Sequence, residues 1–248
     1  AVDLAEQSRR LLRFSVKFDP YSPTAEEDYE QLKRELQRID IIALLQAELT
    51  KSRIHITLAR KIVVAIKHLP NSHKNHAILS ILDNLEILYP IMGTVLTAIR
   101  QIFDEITAET QDKVIQKIID LVTSNSHILK VPLYLSYAIR LLSRKKSAKI
   151  QALLAQIYND SAQPAFIRRD IIITMARLGA WHWLSDRRSF FRTMSPPERR
   201  AFIVASYALK DEGSHWRSHS RQEFTPFENL VREWISQRPE ATRLDISL

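Results

Sequence analysis

Two tryptophans and a carboxylate stand close together in the second half of the sequence. Trp181, Trp183 and Asp186 are followed directly by Arg187 and Arg188. Two indoles could hold a nucleic-acid base while a carboxylate stabilised the cation that forms on the sugar when the base leaves. However, tryptophans in a segment between helices usually pack into the neighbouring helix pair. An alkyl-base DNA glycosylase with HEAT-like repeats is therefore only a minor alternative for this chain.

The histidines give two spacings that could place a pair of metal ligands on one helix face. The pairs are His73-x2-His76 and His215-x3-His219, and Asp211 precedes the second pair. Zinc accepts imidazole and carboxylate ligands, but a catalytic zinc needs three protein ligands in a fixed geometry. Surface helices carry polar residues at these spacings without binding metal. The sequence therefore predicts no metal site in this chain.

One arginine and one histidine match the loose R-x4-H spacing of helical HEPN ribonucleases. They are Arg177 and His182, and Gly179 lies between them. Glycine is typical of the residue that follows a helix, so a helix end at Gly179 would prevent the two side chains from sharing a face. The spacing does not predict a ribonuclease.

The composition excludes several classes of protein. Cysteine is absent and only 3 glycines occur, about 1% against a usual ~7%. Thiol catalysis, disulfides and cysteine-bound metals are excluded, and sheet-rich folds and glycine-rich phosphate loops are disfavoured. No apolar stretch approaches the ~18 residues of a membrane span. We therefore expect a cytoplasmic protein with no membrane partner.

Positive charge is concentrated in the C-terminal half of the sequence. Residues 1–126 carry 16 Lys+Arg and 17 Asp+Glu, whereas residues 127–248 carry 20 and 11. A net charge of +9 in one half attracts polyanions. Arginines outnumber lysines by 23 to 13, which favours phosphate because a guanidinium group binds it through two parallel hydrogen bonds. RNA or single-stranded DNA is the predicted partner.

Eight residues of this half are the candidates for nucleic-acid contact. They are Arg140, Arg168, Arg169, Arg177, Arg187, Arg188, Trp216 and Arg217. The arginines would contact phosphates and Trp216 would stack on a base. Two structural alternatives stay open: the arginines could pair with acids of the adjacent helix pair, and Trp216 could be buried as the cap of the last repeat.

Apolar residues recur at helical spacing through the sequence, and no segment alternates as a β-strand does. Stripes such as Leu58–Leu69, Ile78–Leu85 and Ile167–Leu178 are separated by prolines or polar residues. An apolar-basic-x-apolar helix ending recurs at intervals of 33, 40 and 37 residues. Its basic residues are Lys67, Arg100, Arg140 and Arg177. Two helices with short turns occupy about this length, so we predict an all-α, HEAT-like solenoid of antiparallel helix pairs.

Helix starts are marked by capping residues. Thr24 and Glu27 form a candidate capping box, and Asp40 is a candidate cap. The strings Ser195-Pro196-Pro197-Glu198 and Thr225-Pro226-Phe227-Glu228 each combine a hydroxyl, a proline and a glutamate. These signals predict a helix start at each of the four positions.

We expect three parts along the chain. Residues 1–53 form a helical adaptor or linker after a missing upstream domain, residues 54–238 form the HEAT-like repeat array, and residues 239–248 form a tail. The adaptor includes an extended, proline-containing connector at Ser15–Pro23. Since residue 1 is alanine and no signal peptide follows, we expect the chain to be a piece of a longer protein.

Three strings together resemble a known family. They are Val16–Glu30 (VKFDPYSPTAEEDYE), Lys51–Lys61 (KSRIHITLARK) and Asp211–Arg217 (DEGSHWR). In this order they resemble the helical region that follows the polymerase core in bacterial defence-associated reverse transcriptases, which are relatives of the abortive-infection enzymes. The resemblance covers nearly the whole chain, and its motifs are not catalytic.

The resemblance implies an accessory role beside an RNA-directed DNA polymerase. Such an enzyme needs palm aspartates that bind two Mg²⁺ ions, usually in a Tyr-x-Asp-Asp turn. The nearest string here, Tyr158-Asn159-Asp160, lacks the aspartate pair. The resemblance therefore implies that catalysis and Mg²⁺ belong to an upstream polymerase domain, while this chain cradles template RNA or product DNA or mediates assembly. The upstream domain and a homo-oligomer are further candidate partners, and a HEAT-like protein-binding scaffold is the alternative function.

Overall fold

The computed structural model describes residues 3–13 and 23–211, with side chains up to residue 205. Within these ranges the chain forms twelve α-helices, five short 3-10 helices and no strand. The helices are α1 Leu4–Arg13, α2 Ala25–Gln37, α3 Ile41–Leu49, α4 Ile56–Ala65, α5 Asn71–Asp83, α6 Met92–Ile102, α7 Ala108–Thr123, α8 Pro132–Leu142, α9 Ala148–Asn159, α10 Ala165–Arg177, α11 Trp181–Arg187 and α12 Pro196–Asp211. None of these helices is long and apolar enough to cross a membrane.

Two helices end in a left-handed residue that reverses the chain. Gly179, with φ of 71°, follows α10, and its amide donates to the carbonyl of Ala176 while the Ala180 amide donates to Met175. This pair of hydrogen bonds is a Schellman motif, which needs a positive φ that glycine adopts without a steric cost. Asn125, with φ of 53°, takes the same position after α7. The helix end predicted at Gly179 is confirmed.

The predicted helix caps form to different degrees. Asp40 caps α3, because its Oδ1 accepts a 2.9 Å hydrogen bond from the Ala43 amide. Glu198 accepts the Ser195 amide at 3.0 Å, which is one half of the predicted capping box. The box predicted at Thr24 is wrong, since the Thr24 hydroxyl donates to the Asp28 carboxylate at 2.8 Å and caps no amide of α2. A nearby side-chain acceptor therefore outcompetes the backbone at that helix start.

The chain divides into two compact units, Ala1–Tyr137 and Ala138–Leu248. In the first unit α3 packs on α5 and α5 packs on α7, while α4 packs on α6. Alternate helices thus form two adjacent layers, and the stripe residues Ile62, Ile66 and Ile78 are buried between them. This alternation is typical of stacked helix pairs. The predicted all-α, HEAT-like fold is confirmed.

The N-terminal helices pack within this first unit. α1 contacts both α3 and α4. The Lys61 ammonium of α4 donates hydrogen bonds to the carbonyls of Leu11 at 3.2 Å and Leu12 at 2.7 Å, so a cation stabilises the C-terminus of α1. The boundary after residue 53 stays a prediction, and most of the predicted connector lies outside the described residues.

The second unit is organised around α10. This helix packs on α9, α11 and α12. Its apolar residues Ile172 and Ala176 join Leu184, Phe191 and Phe202 in one buried cluster. The helix therefore has little surface left for solvent except at its two ends, where its arginines lie.

Candidate nucleic-acid interface

The positive charge of the protein belongs to the second unit. Ala1–Tyr137 carries 17 Lys+Arg and 17 Asp+Glu, whereas Ala138–Leu248 carries 19 and 11. The net charge of +8 therefore falls on one of the two units. The unit boundary lies close to the change in composition that the sequence shows near residue 126.

The acids of the second unit do not offset this charge evenly. Asp170 is 2% exposed and Glu198 is 4% exposed. Among the acidic side chains described in this unit, only Asp160 and Asp186 lie at the surface. Because the buried carboxylates already have donors within the protein, the solvent-facing side of the described part of this unit is more basic than the composition of that part alone indicates.

Two of the predicted arginines neutralise one buried carboxylate. Arg169 donates from Nε at 3.0 Å and from Nη2 at 2.8 Å to Oδ1 of Asp170, while Nη2 of Arg140 lies 3.4 Å from Oδ2. Arg140 lies on α8 and Asp170 lies on α10, so this contact joins two helices. It is the kind of pairing between an arginine and an acid of a neighbouring helix pair that was the alternative to phosphate binding. The side chains of Arg140 and Arg169 remain 34% and 37% exposed. Phosphate contact by these two residues stays a prediction.

The corresponding basic residues of the first unit have no such acid. Lys67 and Arg100 are half-buried. Neither forms an ion pair with any residue that the structure describes. Among the described residues, Arg140 therefore pairs with an acid, whereas Lys67 and Arg100, the two preceding basic residues of the repeat, do not.

Two further predicted arginines cover an aromatic pair. Tyr158 and Trp183 meet edge to face with ring centroids 5.0 Å apart. The guanidinium carbon of Arg187 lies 4.8 Å from the Trp183 centroid and 5.5 Å from that of Tyr158, and Arg168 lies 6.0 Å from Tyr158. These distances are those of cation–π contacts. The aromatic rings therefore hold both cations in place.

The same two arginines bind the C-terminus of α9. Arg168 donates from Nη2 to the Asp160 carbonyl at 3.1 Å, and Arg187 donates from Nη2 to the Asn159 side chain at 3.1 Å. Cations at a helix C-terminus are favourable because the carbonyl groups there carry partial negative charge. The Nε atoms of both arginines and Nε1 of Trp183 are buried, and no residue in the described part of the chain accepts a hydrogen bond from them. Both arginines thus stabilise the end of α9.

The Tyr158 hydroxyl forms a hydrogen bond with a buried acid. It donates to Oε1 of Glu198 at 3.0 Å. Burial and the neighbouring Glu198 carboxylate raise the pKa of Tyr158 far above its ordinary value, although Arg187 and Arg168 act in the opposite direction. Tyr158 is therefore a neutral donor at physiological pH.

A second basic region lies at the opposite end of α9 and α10. The Gln151 side chain donates to the Leu178 carbonyl at 3.3 Å, which places the start of α9 beside the end of α10. Lys146, Lys149 and Arg177 are exposed at this end. None of the three has a hydrogen bond or ion pair within the described residues. We call Lys146, Lys149 and Arg177 the basic end.

Three of the eight predicted contact residues remain, namely Arg188, Trp216 and Arg217. Arg188 begins the 3-10 helix Arg188–Thr193 and is half-buried. Trp216 and Arg217 lie outside the described residues. Sequence reasoning did not find Asp170 as the partner of two arginines, although its position directly after Arg168-Arg169 was a usable signal.

The enzymatic alternatives gain no geometric support from the described residues. Trp183 packs against the apolar cluster of the second unit, as the structural interpretation of this tryptophan expected. Arg177 ends α10 and His182 lies on α11, with Gly179 between the two helices.

The metal-like histidine spacings give no complete ligand set where the structure can be described. No group of three histidine, aspartate or glutamate side chains that could hold a metal ion occurs in residues 3–13 and 23–205. The pair His73 and His76 thus belongs to no such group in the described residues. The pair His215 and His219 lies outside the described residues.

Comparison with known proteins identifies no relative. No protein-family model matches the chain, and neither the curated proteins nor the solved structures contain a significant match.

Proposed function

We propose that this chain is a nucleic-acid-binding helical region whose second unit contacts the phosphate backbone of RNA or single-stranded DNA. The observation that carries the proposal is the separation of charge in the second unit. Its net charge is positive, two of its carboxylates are buried, and the cations of the basic end have no acid partner among the described residues. Phosphate contacts of this kind supply affinity without reading sequence.

Two sets of arginines have different roles in this proposal. Arg140 and Arg169 stabilise the fold through Asp170, and they contribute to binding only through their exposed parts. Lys146, Lys149 and Arg177 form no such contact with any residue that the structure describes. Phosphate binding therefore depends most on the basic end, with Arg168 and Arg187 as an oriented second contact.

The wider context of the proposal rests on the family resemblance. In that context the chain is the helical accessory region of a defence-associated reverse transcriptase in the bacterial cytoplasm. It holds template RNA or product DNA, while the catalytic palm and its Mg²⁺ ions belong to another part of a longer protein. The parent reading frame tests this: a Tyr-x-Asp-Asp segment upstream of Ala1 supports it, and a complete frame without one contradicts it.

Equilibrium binding tests the nucleic-acid function itself. Fluorescence anisotropy with labelled single-stranded RNA, single-stranded DNA and a neutral polymer would be measured at low and moderate salt. We expect both nucleic acids to bind, with an affinity that falls steeply as salt increases, because counterions are released from the phosphates. Failure to bind either nucleic acid at low salt would contradict the proposal.

A protein-binding scaffold is the second candidate, because two large apolar side chains of the second unit face solvent. Phe190 is 55% exposed and Val204 is 47% exposed. Exposed apolar groups of this size are typical of protein contact sites when they lie together. If nucleic acid fails to bind, this function replaces the first one.

A further inference from the structure

A pocket of about 920 Å³ lies in the first unit, whereas the residues assigned to nucleic-acid contact all belong to the second. It is lined by α2, α3, the start of α5 and the 3-10 helix Ile66–His68. Its volume is within the range of small-ligand sites. Three lysines line it: Lys33, Lys67 and Lys74.

The lysines of this pocket differ in how they are neutralised. Lys33 pairs with Glu30 at 2.8 Å, at the surface of α2. Lys74 is buried and pairs with Glu105. Lys67 has no ion pair or hydrogen bond with any described residue. One cation of the pocket is thus left without an acid.

The imidazole of His68 lies among these lysines. Its ring centroid is 5.8 Å from that of Tyr29, and the Lys33 ammonium lies 4.3 Å from the same Tyr29 centroid. The Nε2 atom of His68 is buried and has no hydrogen-bond partner among the residues that the structure describes. Burial, followed by Lys67, Lys74 and Lys33, lowers the pKa of His68 to about 4. The His68 ring is therefore neutral at physiological pH.

The start of α5 borders the same pocket. Pro70 precedes the helix, and no side chain caps its N-terminal amides. Pro70, His73 and Lys74 all line the pocket. Unsatisfied amides at a helix N-terminus carry partial positive charge and bind anions.

We propose that this pocket binds a phosphate group, held by the Lys67 ammonium, Nε2 of His68 and the first-turn amides of α5. Each of these three groups lacks a partner in the described residues, and all three donate hydrogen bonds to an anion. A phosphate group supplies at least three oxygens to accept these hydrogen bonds and carries one or two negative charges, depending on the pH. It satisfies the donors together, whereas a metal ion would be repelled by the lysines. Glu105 stays with Lys74 in this arrangement.

Phosphate binding changes the pKa of the His68 imidazole. A phosphate anion beside His68 stabilises the imidazolium form and offsets the repulsion from the three lysines. The pKa of His68 then rises from about 4. The site therefore couples phosphate binding to proton uptake by this histidine.

The test is a pH titration of the histidine rings of the full chain by NMR, with the His68 signal assigned through His68→Gln. It is made in phosphate-free buffer and repeated with inorganic phosphate. We expect the His68 pKa to rise by about one unit or more on addition of phosphate. Lys67→Gln should weaken phosphate binding about tenfold. An unchanged His68 titration, or equal affinity in Lys67→Gln, overturns the proposal.

A matched control removes the same charge elsewhere in the unit. Lys117 on α7 does not line the pocket, so Lys117→Gln should bind phosphate as the wild type does. An equal loss of phosphate affinity in Lys67→Gln and Lys117→Gln would show that only the overall charge matters, and it would overturn the proposal.

Two oligonucleotides identify the source of the phosphate. A short strand with a 5′-phosphate and the same strand with a 5′-hydroxyl are compared as competitors of inorganic phosphate. Stronger competition by the phosphorylated strand assigns the site to a nucleic-acid end, and equal weak competition assigns it to a small phosphate compound. Substitutions in the second unit should leave the His68 response unchanged, so the site and the proposed function fail independently.

Discussion

The hydroxyl of Tyr158 donates a hydrogen bond of 3.0 Å to Oε1 of Glu198, across 40 residues of sequence. The other carboxylate oxygen of Glu198 accepts the Ser195 amide at 3.0 Å. A single buried carboxylate thus connects the last turn of α9 with the first turn of α12. The Tyr158 ring also positions Arg168 and Arg187, so the same residue supports both the core of the second unit and two of its candidate phosphate contacts.

Removal of this hydroxyl should destabilise the protein. Tyr158→Phe leaves a buried carboxylate oxygen without its donor, and we expect a loss of about 1–2 kcal/mol in the free energy of unfolding. Urea denaturation measures it. Tyr134→Phe is the control, since the Tyr134 hydroxyl has no hydrogen bond among the described residues. Equal stability of the two variants would show that the Tyr158–Glu198 bond contributes nothing.

Arg169 and Arg177 should separate stability from binding. Arg169→Gln removes two hydrogen bonds from the buried Asp170 carboxylate, so we expect a loss of about 1–3 kcal/mol in the free energy of unfolding. Arg177→Gln removes an exposed charge and should change stability by less than about 0.5 kcal/mol. RNA affinity should fall in Arg177→Gln. The account is contradicted if Arg177→Gln destabilises the fold and leaves binding unchanged.

The stability of the protein should depend on pH through His68. Its pKa is about 4 in the folded protein and ~6.5 in an unfolded chain. The unfolded state therefore binds more protons between these two pH values, so the free energy of unfolding is fully retained above about pH 6.5 and decreases as the pH falls towards 4. Because the ring is only half-buried and solvent screens it, we expect about 1 kcal/mol.

Urea denaturation at pH 7.5 and pH 5 in phosphate-free buffer checks this dependence. His68→Gln should lose part of the difference between the two pH values. The exposed His73 on the first turn of α5 provides the control, and His73→Gln should retain the wild-type difference. Identical pH profiles for wild type and His68→Gln would rule out the assigned role of His68.

Local signals predicted the helices well, because each depends on neighbouring residues. The apolar stripes of α4 and α10 follow directly from a period of 3.6 residues, and Gly179 marks the end of α10 through its backbone freedom. The failure at Thr24 has the same local origin, since Asp28 lies one turn away and competes for the hydroxyl. Sequence therefore gives the elements and most of their ends.

Contacts between helices were less predictable, because they depend on packing angles. The pairing of Arg140 with Asp170 required the register of α8 against α10, which no spacing in the sequence provides. The cluster of Tyr158, Trp183 and Arg187 likewise comes from three separate elements. The phosphate pocket of the first unit was not predicted, since Lys67 was noted only as a repeated basic residue and the turn at Pro70 is what places it beside His68 and the start of α5.

The salt dependence of RNA binding tests the central claim most directly. The binding constant for a labelled single-stranded RNA would be measured from low to moderate salt for the wild type, for the triple variant Lys146→Gln, Lys149→Gln, Arg177→Gln, and for a control with Arg60→Gln, Lys113→Gln, Lys117→Gln in the first unit. All six cations are in the described residues, and both variants remove the same charge. We expect the log–log slope of the basic-end variant to flatten by about 2, at about 0.7 per lost phosphate contact, with no change in the control. Equal slopes in all three proteins would contradict the account.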